Sequence, residues 1–286
     1  MLLPRFVVKK LSKSSWGRIL SVAMLILAGP LHADVTVTQL ANEGVILSDG
    51  QVRIMIDGMV VEPYSVYGGL DEPVAADFKR ASGAFAGIDL ALSSHRHHDH
   101  NQPTHACQFM KASKGTRFVS SPQVLSLMRE QCGQLVATSE RMEAIDPQYG
   151  EPVILEGGGY KVTVFPLSHG AGRFAKIQNY GHLIELGGLK ILHIGDASMS
   201  PADFKSAGLE RVELDVALIP YWYFQPGPGP DIMNRFMNAP YKRAVHIPPG
   251  KMADIKAHID ENYPHVVILE KPLEEADFRS ANWMEP

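Results

Sequence analysis

The sequence predicts an α/β protein built as a four-layer αβ/βα sandwich, two sheets packed face to face with helices outside. Three observations predict it. Short β-rich runs open the region after residue 34, strand and helix patterns then alternate, and the same order repeats in the second half. Histidines and acids recur where strand patterns end in both halves, as they do when loops at one edge of a rigid sheet carry a site. The chain has 286 residues with 45% apolar content, enough for one large domain or two small ones. It has no low-complexity tract and no repeat at solenoid spacing, so a wholly disordered chain is not expected.

The elements follow in order. VTVTQLA (35–41), GVILSD (44–49) and VRIMIDG (52–58) read as strands punctuated by the turn residues Asn42, Asp49-Gly50 and Gly58. Residues 74–84 read as a helix. IDLALSS (88–94) is short and apolar and runs into a polar turn, as a buried strand does. A helix over about 102–113, a strand TRFVSS (116–121), a helix over 122–131 and a strand LVATS (135–139) complete the first half. The second half begins with YKVTVFPLS (160–168), which alternates and ends at His169. HLIELGGLKILHIGDAS is a hairpin about Gly187-Gly188 that ends at Asp196. A helix (201–208), strand DVALIPYW (215–222), helix (about 230–240), strand RAVHIPP (243–249), helix MADIKAHIDENY and strand HVVILEK follow.

Residues 1–33 are of another kind. Five bases and no acid precede the first acid, Asp34, and an eleven-residue apolar run, Ile19–Gly29, lies between. A basic segment, a short apolar run and a small residue, Ala33, describe a secretory signal peptide cut to leave residues 34–286 as one domain. The run is shorter than the roughly 20 residues of a membrane span, though an uncleaved anchor is the alternative. The chain is therefore expected in the periplasm or outside the cell, with no transmembrane span once mature. Removal of the segment leaves 22 basic against 31 acidic residues. That balance gives no electrostatic case for a nucleic-acid or anionic-lipid surface. Cys107 and Cys132 are the only cysteines, and neither sits in a CxxC pair, so a zinc finger is excluded. One disulfide and two buried thiols are both compatible with the sequence.

The chemistry concentrates in SSHRHHDHN (93–101), at the end of a strand pattern. His95 and His97 are two apart and can face the same way. Asp99 and His100 follow as the loop turns. Neutral imidazole and carboxylate suit a borderline divalent ion such as zinc. Adjacent ligands that face different ways can serve two ions about 3.5–4 Å apart. Such a pair needs further ligands, and His169, Asp196 and His246 stand at strand ends.

The pattern H-x-H-x-D-H after an apolar strand, followed in order by His169, Asp196 in HIGDAS and His246, resembles the metallo-β-lactamase superfamily over roughly residues 35–275. The resemblance implies the metallo-β-lactamase fold and two Zn²⁺ ions, with Mn²⁺ or Fe²⁺ as other divalent candidates. It implies one ion held by His95, His97 and His169, a second by Asp99, His100 and His246, and Asp196 bridging both. His98 occupies a variable position. The resemblance implies hydrolysis by a dinuclear metal-bound hydroxide, with Asp99 as the catalytic residue that orients the nucleophile and passes on its proton. Flavin-linked di-iron members carry Glu where this chain has His97, which argues against a redox role. No G-x-S-x-G or P-loop offers another mechanism.

The substrate is expected to be a small molecule, with an anionic one allowed for. β-Lactamases, glyoxalase II-like thioesterases and many lactonases surround the third histidine with T-P-G-H-T, whereas this chain has FPLSHGAGR. NYGHLIELGGLKILHIGDA is closer to the branch that resembles ascorbate-phosphate lactonase and N-acyl-phosphatidylethanolamine phospholipase D. A phosphodiester or a lactone or ester is therefore expected, with a β-lactamase-like amide hydrolase as the alternative. A non-catalytic metal-binding or interaction protein on the same fold is the rival of another class; it predicts a lost ligand, and none is lost. Arg173 and Lys176 after His169 could meet an anionic group or be solvated. Tyr221, Trp222, Tyr223 and Phe224 cannot all face one side of a strand, so at least one is a candidate to line the site. His182 and His193 read as packing groups or supports for the ligands. His105, His258 and His265 read as surface residues.

Overall fold

A computed structural model describes residues 34–135 and 139–279. The predicted signal segment, 1–33, lies outside the described residues. Among those described, fourteen strands form two seven-stranded sheets, in the orders β14-β1-β2-β3-β4-β5-β6 and β13-β12-β11-β10-β9-β8-β7. In the first sheet β1 (Val35–Gln39), β2 (Val45–Ser48) and β3 (Arg53–Ile56) form an antiparallel meander. β4 (Leu90–Leu92), β5 (Arg117–Ser120) and β6 (Met142–Ala144) then add in parallel. The second sheet repeats the plan. β7 (Val153–Gly157), β8 (Tyr160–Pro166), β9 (Tyr180–Leu186) and β10 (Leu189–His193) are antiparallel neighbours. β11 (Val216–Pro220), β12 (Tyr241–Val245) and β13 (Val266–Ile268) follow in parallel. The last strand, β14 (Glu275–Phe278), returns to pair with β1.

The helices take the outer faces. α1 (Val74–Arg80), α2 (Pro103–Ala112) and α3 (Pro122–Cys132) cover the first sheet. α4 (Pro201–Ser206), α5 (Gly229–Phe236) and α6 (Met252–Asn262) cover the second. Each helix from α2 to α5 has proline in its first turn, where the missing N–H costs nothing. Alternation along the strands divides the apolar residues among three core layers. Ile46, Met55, Ala91 and Phe118 face Phe78, Phe109 and Met128 of the first helices. Val45, Leu47, Ile54 and Leu90 meet Val162, Ile184 and Leu218 between the sheets. Ala217, Ile219 and Ala244 face Phe204, Phe236 and Ile259 of the second helices. Three apolar layers between four layers of elements make the predicted sandwich.

Some boundaries differ from expectation. The strand expected at 135–139 falls partly outside the described residues, and the strand that flanks β5 is Met142–Ala144. β7 and β14 carry exposed residues on edge positions, so they lack the apolar signal a sequence reading relies on. DVALIPYW stops as a strand at Pro220, and Tyr221–Phe224 turn into a 3-10 segment. Cys107 and Cys132 form a disulfide between α2 and α3, with Cα atoms 5.4 Å apart. No helix among the described residues is long and apolar enough to cross a membrane.

Candidate metal centre

The site stands where the carboxyl ends of strands from both sheets meet. β4 leads into the loop that carries His95, His97, Asp99 and His100, and backbone bonds from His100 N and Asn101 N to His97 O close it as a turn. β8 leads to His169, β10 to Asp196 and β12 to His246. Parallel strands leave their carboxyl ends open for such groups. Two residues here have a left-handed backbone, Asp57 (φ 48°) after β3 and His246 (φ 62°) after β12. Asp and His tolerate that region better than most residues.

All seven predicted site residues come together. The Nδ1 atom of His97 lies 2.9 Å from His95 Nε2 and 3.1 Å from His169 Nε2. The Nε2 atoms of His100 and His246 are 3.2 Å apart. Asp196 stands between the two groups. Its Oδ2 is 3.7 Å from His95 Nε2 and 3.4 Å from His169 Nε2, while its Oδ1 is 3.3 Å from both His100 Nε2 and His246 Nε2. Asp99 Oδ2 joins the second group, 3.4 Å from His246 Nε2 and 3.8 Å from His100 Nε2.

These spacings test the fit of a metal. Donors about 2.0–2.2 Å from one tetrahedral ion stand about 3.3–3.6 Å from each other. The distances above, from 2.9 to 3.8 Å, bracket that value. Asp196 Oδ1 is buried yet makes no hydrogen bond, as expected of an atom aimed at a cation. The donor set therefore fits divalent ions, with His95, His97, His169 and Asp196 in one group and Glu43, His100, Asp196 and His246 in the other.

Burial and charge set the protonation of these groups. Burial holds His95 well below the usual histidine range and, with His169 beside it, lowers His97. Burial would lower His100 as well, but Asp196 and Asp57 outweigh it and hold it well above. Burial would raise Asp99 and Asp196. The hydrogen bond from His246 brings Asp99 below its ordinary value, and His246 and His100 bring Asp196 well below. Tyr67, half-buried with its ring edge-on to His246 at 4.6 Å, is pushed up to about 12 by burial and the nearby Asp99.

The structure adds partners that the sequence reading missed. Asp57 is fully buried and accepts from Ser94 N (2.6 Å), Ser94 Oγ (2.5 Å) and His100 Nδ1 (2.9 Å). Its signal was an acid at the end of the apolar run IMID. Behind it Glu43, held well above the usual carboxylate range by burial, lies 3.3 Å from His193 Nε2. His193 and His182 are buried in strands as expected, lowered to about 4 and about 3 by desolvation. Gly195 makes room for the ligands. It has φ +53°, and a Cβ there would come within 2.5 Å of Asn179 Oδ1 and 2.7 Å of Ser94 Cβ.

The remaining candidates sort clearly. Of the aromatic run, Tyr223 and Phe224 are buried and Trp222 presents an edge to His246 at 5.0 Å. His98 and His265 are exposed, but His258 is half-buried and its Nε2 lies 2.9 Å from Phe224 O. His258 faces back onto the 3-10 segment, which its position on α6 could not reveal. A cavity of about 540 Å³ opens onto His97, Asp99, His169 and Asp196, within the range of small-molecule sites.

The model of the beta-lactamase superfamily domain matches residues 60–268. The chain belongs to the beta-lactamase superfamily. Membership makes it a metal-dependent hydrolase, and the His/Asp groups above have the spacing to hold metal ions. No curated protein matches the chain. Among solved structures, isothiocyanate hydrolase from Delia radicum gut bacteria has a TM-score of 0.63 at 15% identity, over 86% of this chain and 100% of that one. Igni18, a metallo hydrolase from the archaeon Ignicoccus hospitalis, has a TM-score of 0.58 at 17% identity, over 86% and 99%. CmlA, a diiron β-hydroxylase from Streptomyces venezuelae, has a TM-score of 0.51 at 15% identity, over 87% and 54%. At these identities the likeness is one of fold, and a diiron neighbour means that superfamily membership does not by itself select zinc.

Proposed function

We propose that this superfamily member is an exported dinuclear zinc hydrolase acting on a small phosphodiester or a lactone or ester. One observation carries the dinuclear reading. Asp196 turns its two oxygens toward two different donor groups, and Asp196 lines the cavity of about 540 Å³ together with His97, Asp99 and His169. Two ions bound there would supply Lewis acidity and lower the pKa of a water they share. His95, His97 and His169 hold one position, and Asp99, His100 and His246 the other. Asp99 Oδ2 lies 3.3 Å from Asn42 Nδ2, which fixes its carboxylate at the cavity edge. From there Asp99 can orient the attacking water, take its proton and release it to the leaving group. Asp57 accepts from His100 Nδ1 and so leaves Nε2 free for the site.

Two features support export. Residues 1–33 have the composition of a signal peptide. Both cysteines of the chain are joined in one disulfide, as befits an oxidising compartment. The test uses residues 34–286 loaded with zinc. Metal content is measured, and bis(p-nitrophenyl) phosphate hydrolysis is followed for the parent and for Asp99→Ala. Two metals per chain and turnover that vanishes in the variant are expected. Fewer than two metals would overturn the dinuclear assignment. Two metals without turnover would remove phosphodiesters and bring lactones and esters forward.

A further inference from the structure

The cavity over the metal centre has a mouth that the hydrolytic step does not use. Its inner end is made of His97, Asp99, His169 and Asp196, whose donor atoms turn toward one another. Its outer wall carries two arginines, Arg96 and Arg173. Both are exposed, and among the described residues neither has a carboxylate partner within ion-pair distance. Arg129 and Arg211 are likewise exposed without such a partner, so what sets Arg96 and Arg173 apart is their place on the wall of this cavity. Lys176, the other cation after His169, borders a separate cavity with Tyr149 instead.

Arg173 is also held in place. Its guanidinium lies 4.7 Å above the Phe174 ring, and Phe174 stacks on His169 at 5.0 Å with 17° between the planes. Three planar groups in series thus tie a charge at the mouth to a metal-centre histidine. Arg96 is placed by the motif itself. It lies between His95 and His97, and it is exposed where His95 is buried and His97 half-buried. A guanidinium is suited to a planar oxyanion, which it can hold through two parallel hydrogen bonds.

The remaining lip is apolar. Tyr64 and Val66 line the same cavity and are 49% and 60% exposed. They are two of only four large apolar residues so exposed among the described residues. An exposed apolar lip beside unpaired cations, both on the approach to a reactive centre, describes a substrate with two unlike parts.

We propose that Arg96 and Arg173 form an anion clamp at the mouth, and that the substrate is a soluble organic anion. Its non-scissile oxyanion meets this clamp while its apolar body rests on Tyr64 and Val66. The proposal rests on the hydrolase reading of the same pocket and names the substrate class for it. The clamp contributes to binding and positioning and takes no part in bond breaking.

The test is binding to the zinc-loaded protein, followed by calorimetry with 4-phenylbutyrate and its neutral amide as probes. The carboxylate is expected to bind more tightly than the amide. Arg96→Gln and Arg173→Gln should each weaken the carboxylate about five- to tenfold, an effect that salt diminishes, and leave the amide unmoved. Val66→Ser should weaken both probes alike. Absence of saturable carboxylate binding, or equal affinity for acid and amide, overturns the proposal. Carboxylate binding that ignores both arginine variants also overturns it, since the metal centre would then be the anion's only partner. These readings are separate from turnover, so a failure of the hydrolase assignment would show as lost hydrolysis with the binding pattern intact.

Discussion

Replacing Asp57 by Asn tests whether a residue outside the donor set controls metal binding. Asp57 is fully buried, and His100 Nδ1 lies 2.9 Å from its Oδ2. For His100 to present Nε2, its proton must sit on Nδ1 and be donated to Asp57. Asn keeps the size and one acceptor but removes the charge, and it can turn an NH₂ toward the Nδ1 proton. Loss of such a carboxylate behind a ligating histidine typically costs about 10–100-fold in metal affinity. That corresponds to about 1.4–2.7 kcal/mol at 25 °C. The two Ser94 donors, at 2.6 and 2.5 Å, use different oxygens of Asp57, so one of them loses its acceptor and apo-protein stability should fall by about 1–2 kcal/mol. The assay is competition with a chromophoric zinc chelator, alongside urea unfolding of the metal-free chain. The variant should lose one ion at a chelator concentration that leaves both on the parent, because only one group contains His100. Two ions held within twofold of parental affinity would refute the role of Asp57.

Three further outcomes are expected. The Cys107–Cys132 disulfide closes a 25-residue separation, so replacing both by Ala should lower unfolding free energy by at most about 3.5 kcal/mol, read from urea midpoints with and without reductant. Gly195→Ala places a Cβ in a left-handed position against Asn179 and Ser94 and should displace Asp196, which metal content and thermal melting would report. His182 is depressed to about 3, below the unfolded value near 6.5, so the unfolded chain takes up a proton first as pH falls. Its contribution is complete above about pH 6.5 and is lost on acidification toward 3, by about 1.4 kcal/mol per pH unit. His182→Leu should therefore flatten stability against pH between about 6.5 and 4, and an unchanged slope would show that the imidazole is not held neutral.

The sandwich was legible because its repeat of strand-rich and strand-helix segments is written in local periodicity. The convergence of the seven candidate residues was legible because ligation demands particular side chains at strand ends, and few other roles would crowd His95, His97, Asp99 and His100 into one loop. Partners were harder to read. Asp57 sits 43 positions from His100 and looks like an ordinary turn acid until the fold joins them. Arg96 is hidden inside the motif, as a residue the ligand pattern leaves free. The pairing of β1 with β14, Val35 opposite Phe278, has no local signature at all. Of Tyr221–Phe224 the sequence left open which one could line the site, and only Pro220 and the 3-10 turn decide that Trp222 is the residue beside His246.

The division of labour at Asp196 has a consequence for how the chain can be cut. One segment, ending at β6, brings His95, His97, Asp99 and His100, and another, starting at β7, brings His169, Asp196 and His246. Neither segment owns a complete set of donors for either ion. A molecule nicked between residues 145 and 152 would be a two-piece assembly whose pieces meet over the apolar layer between the sheets and along the β1–β14 pairing, with the proposed ions as a further link. The proposed ions would then act as the fastener of a split protein, and recovery of a signal from separately expressed halves would read out the concentration of the metal that binds.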